Sequence, residues 1–429
     1  MNPMGSEKHY NSVVELLPQE RTNLLLTESM TVSTLFEGKV PEEFIEARLK
    51  EIVSVNPWVR SRLVTNPESG QPGLSYPHDD FTPGELFKSV HLSELGMDGG
   101  GFETMIKQSS SRFITKQQQG LYVRQGIHCI DKDESLIKIT VCEGDKHNFI
   151  LIVSMSHVLG DAATFYQLYG MLSPESEVKF LESKRCFEVV DNLSHLPDEI
   201  RGFSCDNRKR LAHVFKDMKL NKRQCLINGF RIKEESQYDE QPDHHKSGFF
   251  RINKAWVDQE KQAVLAHSDG SAYVSTNDIL TSWFMKTSEA HCGLLAVNLR
   301  GRDLRLKDNQ VGNYVLASIL YPDEFASARN VRQFVDSLDS YHLSDSQEST
   351  PSNRVLITNW TQYYVDLDLG PECRLLEHRP VFPYGFGSGL RWSSIMFIYC
   401  LREGALGAFI DSECFSRFEK EIGGILSPL

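Results

Sequence analysis

Phe149-Ile150-Leu151-Ile152-Val153-Ser154-Met155-Ser156-His157-Val158-Leu159-Gly160-Asp161-Ala162-Ala163-Thr164-Phe165 runs an almost unbroken apolar segment into a histidine. A short turn with Gly160 follows, and then a helical pattern that continues through Leu168 and Tyr169. The apolar run has the length and β-branched content of a buried strand, far short of the roughly 20 residues that cross a bilayer. A histidine at the end of such a strand is held where the chain must turn, which suits fixing one tautomer and aiming a ring nitrogen into a cavity. The spacing His-x-x-x-Asp occurs twice, at His157/Asp161 and at His213/Asp217. The second lies in a charged stretch, Arg208-Lys209-Arg210-Leu211-Ala212-His213, and reads as an i,i+4 contact on an exposed helix. Only His157 follows a strand of core character.

Upstream, residues 11–64 read as strand, strand, helix, strand. Residues 31–36 favour a strand, and Pro41 opens a helix whose apolar face is Phe44, Ile45, Leu49, Ile52 and Val53. Pro57 ends it, and residues 58–64 alternate like a half-buried strand. Further strands are expected at 121–130, 135–141 and 148–156, the last two joined by a turn at Glu143-Gly144-Asp145-Lys146. Residues 186–247 are charged, without a long apolar face beyond a short helix near 208–218, and read as a crossover. Downstream come a strand at 249–252, a helix at 257–266, and a helix at 279–289 capped from Ser275-Thr276-Asn277-Asp278. Strands at 294–299, 311–319, 354–357 and 395–400 complete a mixed α/β pattern in two similar halves.

The chain has 429 residues, 40% hydrophobic and 24% charged, an ordinary globular composition long enough for two domains. A net charge of -12 argues against a nucleic-acid partner, since a phosphate backbone rewards basic surplus. Met1 to Tyr10 is polar and does not read as a signal peptide. Nine cysteines without a Cys-x-x-Cys pair read as buried thiols in a reducing compartment, with no metal site. A cytoplasmic protein with no membrane span and no metal is expected.

With the His157 motif in place, the chain resembles the BAHD-type acyl-CoA-dependent acyltransferases, within the superfamily of chloramphenicol acetyltransferase and the condensation domains. Four more stretches fall in that family's order. Gly38-Lys39-Val40-Pro41 through Asn56-Pro57-Trp58-Val59-Arg60-Ser61-Arg62-Leu63 looks like its first helix and following strand. Val274-Ser275-Thr276-Asn277-Asp278-Ile279 is similar to the segment opening the second half. Ala296-Val297-Asn298-Leu299-Arg300-Gly301-Arg302 with Val311-Gly312-Asn313-Tyr314 looks like "VNxRxR…GN". Thr358-Asn359-Trp360 with Asp368-Leu369-Gly370-Pro371-Glu372 resembles "TSW…DFGWG". Ala162 stands where the family usually has Gly, and Leu369, Pro371 and Glu372 depart from the last element.

The resemblance implies an α/β fold of two chloramphenicol-acetyltransferase-like domains, each a mixed β-sheet flanked by helices, with a channel between them. The expected division is 1–185, a linker at 186–247, and 248–429, with 381–400 returning to the first domain. It implies His157 as general base and Thr358 as donor to the oxyanion. Asp161 is expected to point away from the base and pair with Arg300 or Arg302, with Asp368 taking the other. Lys261, Ser275, Thr276 and Ser388 are the candidates for binding CoA, and Trp360 for lining the channel. The expected substrates are acyl-CoA and a small-molecule acceptor, an alcohol or an amine, on a monomer. Two readings stand beside this one: a condensation-type enzyme with a carrier-bound donor, and a non-catalytic binder of small molecules. Ser156 occupies the place where condensation domains usually carry a second histidine, which favours CoA.

Overall fold

A computed structural model describes residues 13–77, 79–95, 101–104, 120–144, 147–187, 246–267, 273–301, 306–337, 353–383 and 392–429. The helix expected over 208–218, nearly all of the crossover, Arg302 and Ser388 lie outside the described residues. The chain divides into two compact units. The first takes residues up to Phe187 together with Leu306–Tyr314 and Val365–Gly389; the second takes the remainder.

Strands β1 (Val14–Glu15), β4 (Pro72–Ser75) and β3 (Arg62–Thr65) make a small sheet in the first unit. Its main sheet has the order β12-β2-β7-β6-β5, from Cys373–Pro380, Ser29–Gly38, Asn148–Ser156, Ile137–Glu143 and Phe87–His91. All its pairings are antiparallel except β5 with β6, so the sheet is mixed. β7 is central and buried along almost its whole length, as an apolar run without alternation requires. Helix α1 (Glu42–Val55) buries Ile45, Leu49, Ile52 and Val53, the face read from the sequence. Leu49 and Ile52, Phe165 of helix α2 (Ala162–Gly170), and Ile137, Ile139, Val153 and Met155 of the sheet line one common apolar cavity.

The second unit holds a seven-stranded mixed sheet, β10-β9-β11-β13-β14-β8-β15. In chain order these are β8 (Lys246–Ile252), β9 (Cys292–Asn298), β10 (Val315–Leu320), β11 (Arg354–Asn359), β13 (Ser394–Arg402), β14 (Ala405–Ser412) and β15 (Leu426–Pro428). β11 runs parallel to both β9 and β13, and the other pairs are antiparallel. Helices α3 (Lys254–His267), α4 (Thr276–Thr287) and α5 (Ala328–Asp336) supply Val257, Leu280, Phe284 and Val331 to a core shared with Ile357, Met396 and Ile410 of the sheet.

Several expectations change. Pro57–Arg60 is a 3₁₀ turn with Trp58, Val59 and Arg60 buried in succession, so the strand is confined to Arg62–Thr65. No strand forms over 121–130: the Val123 N–H donates to Ser154 Oγ, and Thr140 Oγ1 donates to Leu121 O, so side chains of the sheet satisfy this backbone. The strand expected at 311–319 begins at Val315, because Gly312 adopts φ +144° and residues 306–314 belong to the first unit. Residues 381–400, expected to return to the first domain, divide: Val381 N–H donates to Thr31 O of β2, next to β12, whereas Ser394–Arg402 form β13 of the second sheet.

Candidate active site

His157 follows directly on β7. Its N–H donates to Glu28 O at 3.0 Å, which fixes the backbone where the strand stops. The residue is half-buried, and its Nδ1 is buried with no hydrogen-bond partner among the described residues. Burial lowers the imidazole pKa from 6.5, opposed in part by the residue's own backbone, then by the Asp161 charge, the Asn313 side chain and the Glu20 charge. The ring is therefore neutral at pH 7.

Gly160 and Asp161 turn the chain into α2. A Cβ on Gly160 would come within 2.6 Å of Thr164 Oγ1, so this position requires glycine. Asp161 caps α2: its Oδ1 accepts from Thr164 N at 3.2 Å and from Thr164 Oγ1 at 3.4 Å. Its Oδ2 accepts from Tyr314 N at 3.0 Å, and its own N–H donates to Gly312 O at 3.3 Å. The carboxylate, 3% exposed, thus ties the turn to the segment 312–314 through main-chain donors. Ala162 starts the helix and packs at 8% exposure.

A fully buried ion pair stands behind this turn. Arg185 Nε lies 2.9 Å from Glu20 Oε2, both side chains at 0% exposure. Arg185 Nη2 donates to Val158 O (3.2 Å) and Leu159 O (2.9 Å), and Nη1 to Val311 O and Ser183 O, both 3.1 Å. Glu20 Oε2 also accepts from Leu17 N, and Oε1 from Asn313 N (2.8 Å) and Nδ2 (3.1 Å). Asn313 Nδ2 donates at 2.8 Å to His157 O. Sequence reasoning missed Glu20 and Arg185, whose local surroundings carry no sign of burial; Asn313 stood within a quoted motif without a role.

It also passed over a second buried histidine. His378 of β12 lies opposite Thr34 of β2 and is 0% exposed. Its Nδ1 is 2.9 Å from Thr34 Oγ1 and 3.3 Å from Tyr169 OH, and its Nε2 is 3.0 Å from Tyr166 OH. Burial brings its pKa down to about 3.

In the second unit, Ser275 caps α4 in a reciprocal box with Asp278: Ser275 Oγ accepts from Asp278 N, and Asp278 Oδ2 accepts from Ser275 N at 2.6 Å. Arg332 reaches both, Ser275 Oγ at 3.0 Å and Asp278 Oδ2 at 2.8 Å. Lys261 Nζ donates to Thr276 Oγ1 at 2.8 Å. Thr358, half-buried on β11, lies opposite Phe397 of β13. Trp360 is 7% exposed and sets its ring edge-on to Phe397, centroids 4.1 Å apart. Arg300 is buried, with its N–H donating to Asn298 Oδ1 at 3.1 Å. Asp368, in the first unit, is exposed, and its Oδ1 accepts from Gly370 N at 2.8 Å. Among the described residues, no three His, Cys, Asp or Glu are grouped to hold a metal, and no helix is long and apolar enough to cross a membrane.

No family model and no curated protein matches the chain by sequence. Solved structures match over nearly its whole length. TRI101 of F. graminearum, complexed with coenzyme A and deoxynivalenol, has a TM-score of 0.62 at 16% identity, covering 97% of this chain and 99% of that one. Vinorine synthase gives 0.58 at 11% identity, over 96% of this chain and 92% of that one. The condensation domain of the Monacolin K polyketide synthase MokA gives 0.58 at 9% identity, over 96% of each. At such identities the likeness is one of fold. The chain has the fold of the BAHD-type acyltransferases and condensation domains: two units, each a mixed sheet with helices on it.

Proposed function

We propose that this protein is an acyltransferase that moves an acyl group from acyl-CoA to a hydroxyl, or an amine, of a small-molecule acceptor, with His157 as general base in a ternary complex. The observation that carries this reading is the half-buried, neutral imidazole with a fixed backbone at the end of β7, on a fold that in TRI101 accompanies coenzyme A and a small molecule. With Nδ1 buried, Nε2 is the nitrogen left for proton transfer. It takes the acceptor's proton as the acceptor oxygen or nitrogen attacks the thioester carbonyl. The tetrahedral oxyanion takes a hydrogen bond from the Thr358 hydroxyl. Collapse breaks the carbon–sulfur bond, and the leaving thiolate recovers the proton from the imidazolium. No covalent enzyme intermediate forms. Lys261, Ser275, Thr276 and Ser388 are assigned to the CoA side, Trp360 to the substrate passage, and Asp161, Arg300, Arg302 and Asp368 to shaping the site.

A carrier-protein donor is the second reading, favoured by the likeness to the MokA condensation domain and opposed by Ser156 beside His157. The test is a panel of acyl-CoAs scored for thiol release, with wild type and His157→Ala. Slow release that disappears in the variant supports CoA-dependent transfer. Release confined to carrier-bound donors would move the donor assignment to condensation chemistry, and tight ligand binding with no release from any donor would leave a binding protein. Because burial lowers the His157 pKa, the acid limb of the rate profile is expected below pH 6.5, with activity falling only as the imidazole protonates there.

A further inference from the structure

We infer that Glu20, Arg185 and Asn313 form a positioning frame that fixes where the His157 ring stands, an inference that rests on the acyl-transfer reading above. The frame grips the main chain on the far side of the base. Three consecutive carbonyls after β7, those of His157, Val158 and Leu159, accept from Asn313 Nδ2 and from Arg185 Nη2. The frame is drawn from three separate stretches of chain: Arg185 and Asn313 donate to the carbonyls, and the Glu20 carboxylate accepts from both and binds them together.

The hydrogen-bond accounting is complete. Guanidinium has five N–H donors, and Arg185 places all five: one on Glu20, two on Val158 O and Leu159 O, and two on Ser183 O and Val311 O. Both Glu20 oxygens accept twice. A buried ion pair of this kind is weak evidence for stability, because well-packed apolar residues of the same volume often do as well. What apolar residues could not do is hold three adjacent carbonyls at set distances. Lysine could not either, since a single ammonium with three donors cannot span five acceptors in a planar fork. The imidazole has no hydrogen bond on its own Nδ1 among the described residues, so its placement falls to the backbone that carries it.

The test uses three variants of the full chain. Asn313→Ala removes the bridge to His157 O and leaves the ion pair; Arg185→Lys keeps the charge and loses the fork; Glu20→Gln keeps the shape and loses the charge. Two readouts are taken: His157-dependent thiol release from acyl-CoA, and the titration of the His157 ring followed by NMR, with its signal assigned from His157→Ala. Asn313→Ala is expected to lower kcat by about 10²-fold, the cost of misplacing a reacting group by roughly 1 Å, with KM for acyl-CoA unchanged. Glu20→Gln is expected to move the His157 titration to lower pH, because the Glu20 charge favours the imidazolium. Wild-type kcat in folded Asn313→Ala, with an unmoved ring titration, overturns the frame, as does a loss confined to melting temperature. Should Asn313→Ala fail to fold, Glu20→Gln and Arg185→Lys decide on the same two readouts. If wild type releases no thiol in a His157-dependent way, the acyl-transfer reading falls on its own; the frame is then judged by the ring titration, and an unmoved titration in all folded variants overturns it.

Discussion

His378, on β12, and His157, directly after β7, belong to one sheet on either side of β2, and burial lowers the pKa of both. Their surroundings differ in kind. His378 has both ring nitrogens within reach of hydroxyls, from Thr34 across the strand pair and from Tyr166 and Tyr169 one turn apart on α2. His157 has its carbonyl and amide fixed and its Nδ1 without a partner among the described residues. Burial alone does not mark a reactive histidine. A ring whose bonds are all taken locks α2 to the sheet; a ring left over, on a backbone that is fully bonded, is available for chemistry.

The largest effect should come from exchanging those roles. His157→Ala is expected to lower acyl-CoA thiol release by about 10²–10⁴-fold, the usual contribution of a general base, while leaving the urea midpoint at the wild-type value. His378→Gln should do the reverse. It leaves buried hydroxyls on Thr34, Tyr166 and Tyr169 with a poorly shaped partner, at about 1–3 kcal/mol for each one unsatisfied, while activity per folded molecule is retained. Urea melts of the two variants, read beside thiol release, check both. An active-site loss in His378→Gln without loss of stability would break the distinction.

The pH dependence sharpens it. Unfolded His378 binds a proton below about 6.5, and the folded residue does so only near about 3, so between these values the unfolded state holds more protons. Stability is therefore lost as pH falls through that window. From pH 7 to pH 5 the loss from this group should be about 2 kcal/mol. His157, also lowered, adds to the slope with the same sign, so the informative quantity is the difference between wild type and His378→Gln. Equal slopes in the two proteins would remove His378 as the cause.

Asp161→Asn is next in size. Asparagine can still cap α2, but one carboxylate oxygen becomes an NH₂, facing an N–H donor of either Tyr314 or Thr164. About 1–3 kcal/mol of stability should go, and turnover should fall with folded yield. Unchanged melting with abolished turnover would instead point to Asp161 acting on His157 directly.

How far the sequence carried can be read from these residues. β7 and the turn after it were legible because a long apolar run has one physical outcome, and α1 because its apolar spacing is helical. The Ser275 cap was legible because Ser-x-x-Asp states its own hydrogen bonds. β12 was not: Cys373-Arg374-Leu375-Leu376-Glu377-His378-Arg379-Pro380 is charged, and only pairing with β2, more than 300 residues earlier, makes it a strand and buries His378. Glu20 and Arg185 were illegible for a related reason. Charges set side by side, as in Glu20-Arg21 and Lys184-Arg185, read as solvated surface, and only the convergence of distant segments hides one of each pair from water.

The smallest effects lie at α4, where sequence and structure together permit two jobs for the same residues. Ser275 Oγ already bonds Asp278 N and receives Arg332, and Lys261 already bonds Thr276. Ser275→Ala should therefore cost about 1 kcal/mol as a lost cap; KM for acyl-CoA rises beside that loss if the hydroxyl also serves the CoA side, and stays where it was if Ser275 is a cap alone. Lys261→Met should act the other way, with little change in melting, because the bond it loses is partly exposed. If the Lys261 ammonium meets CoA phosphates, KM should rise several-fold at low salt and converge on wild type as ionic strength screens the charge. KM measured across a salt series for the two variants separates the jobs. A salt-independent KM in Lys261→Met would leave this helix end as a cap alone, and the CoA phosphates would have to be met elsewhere.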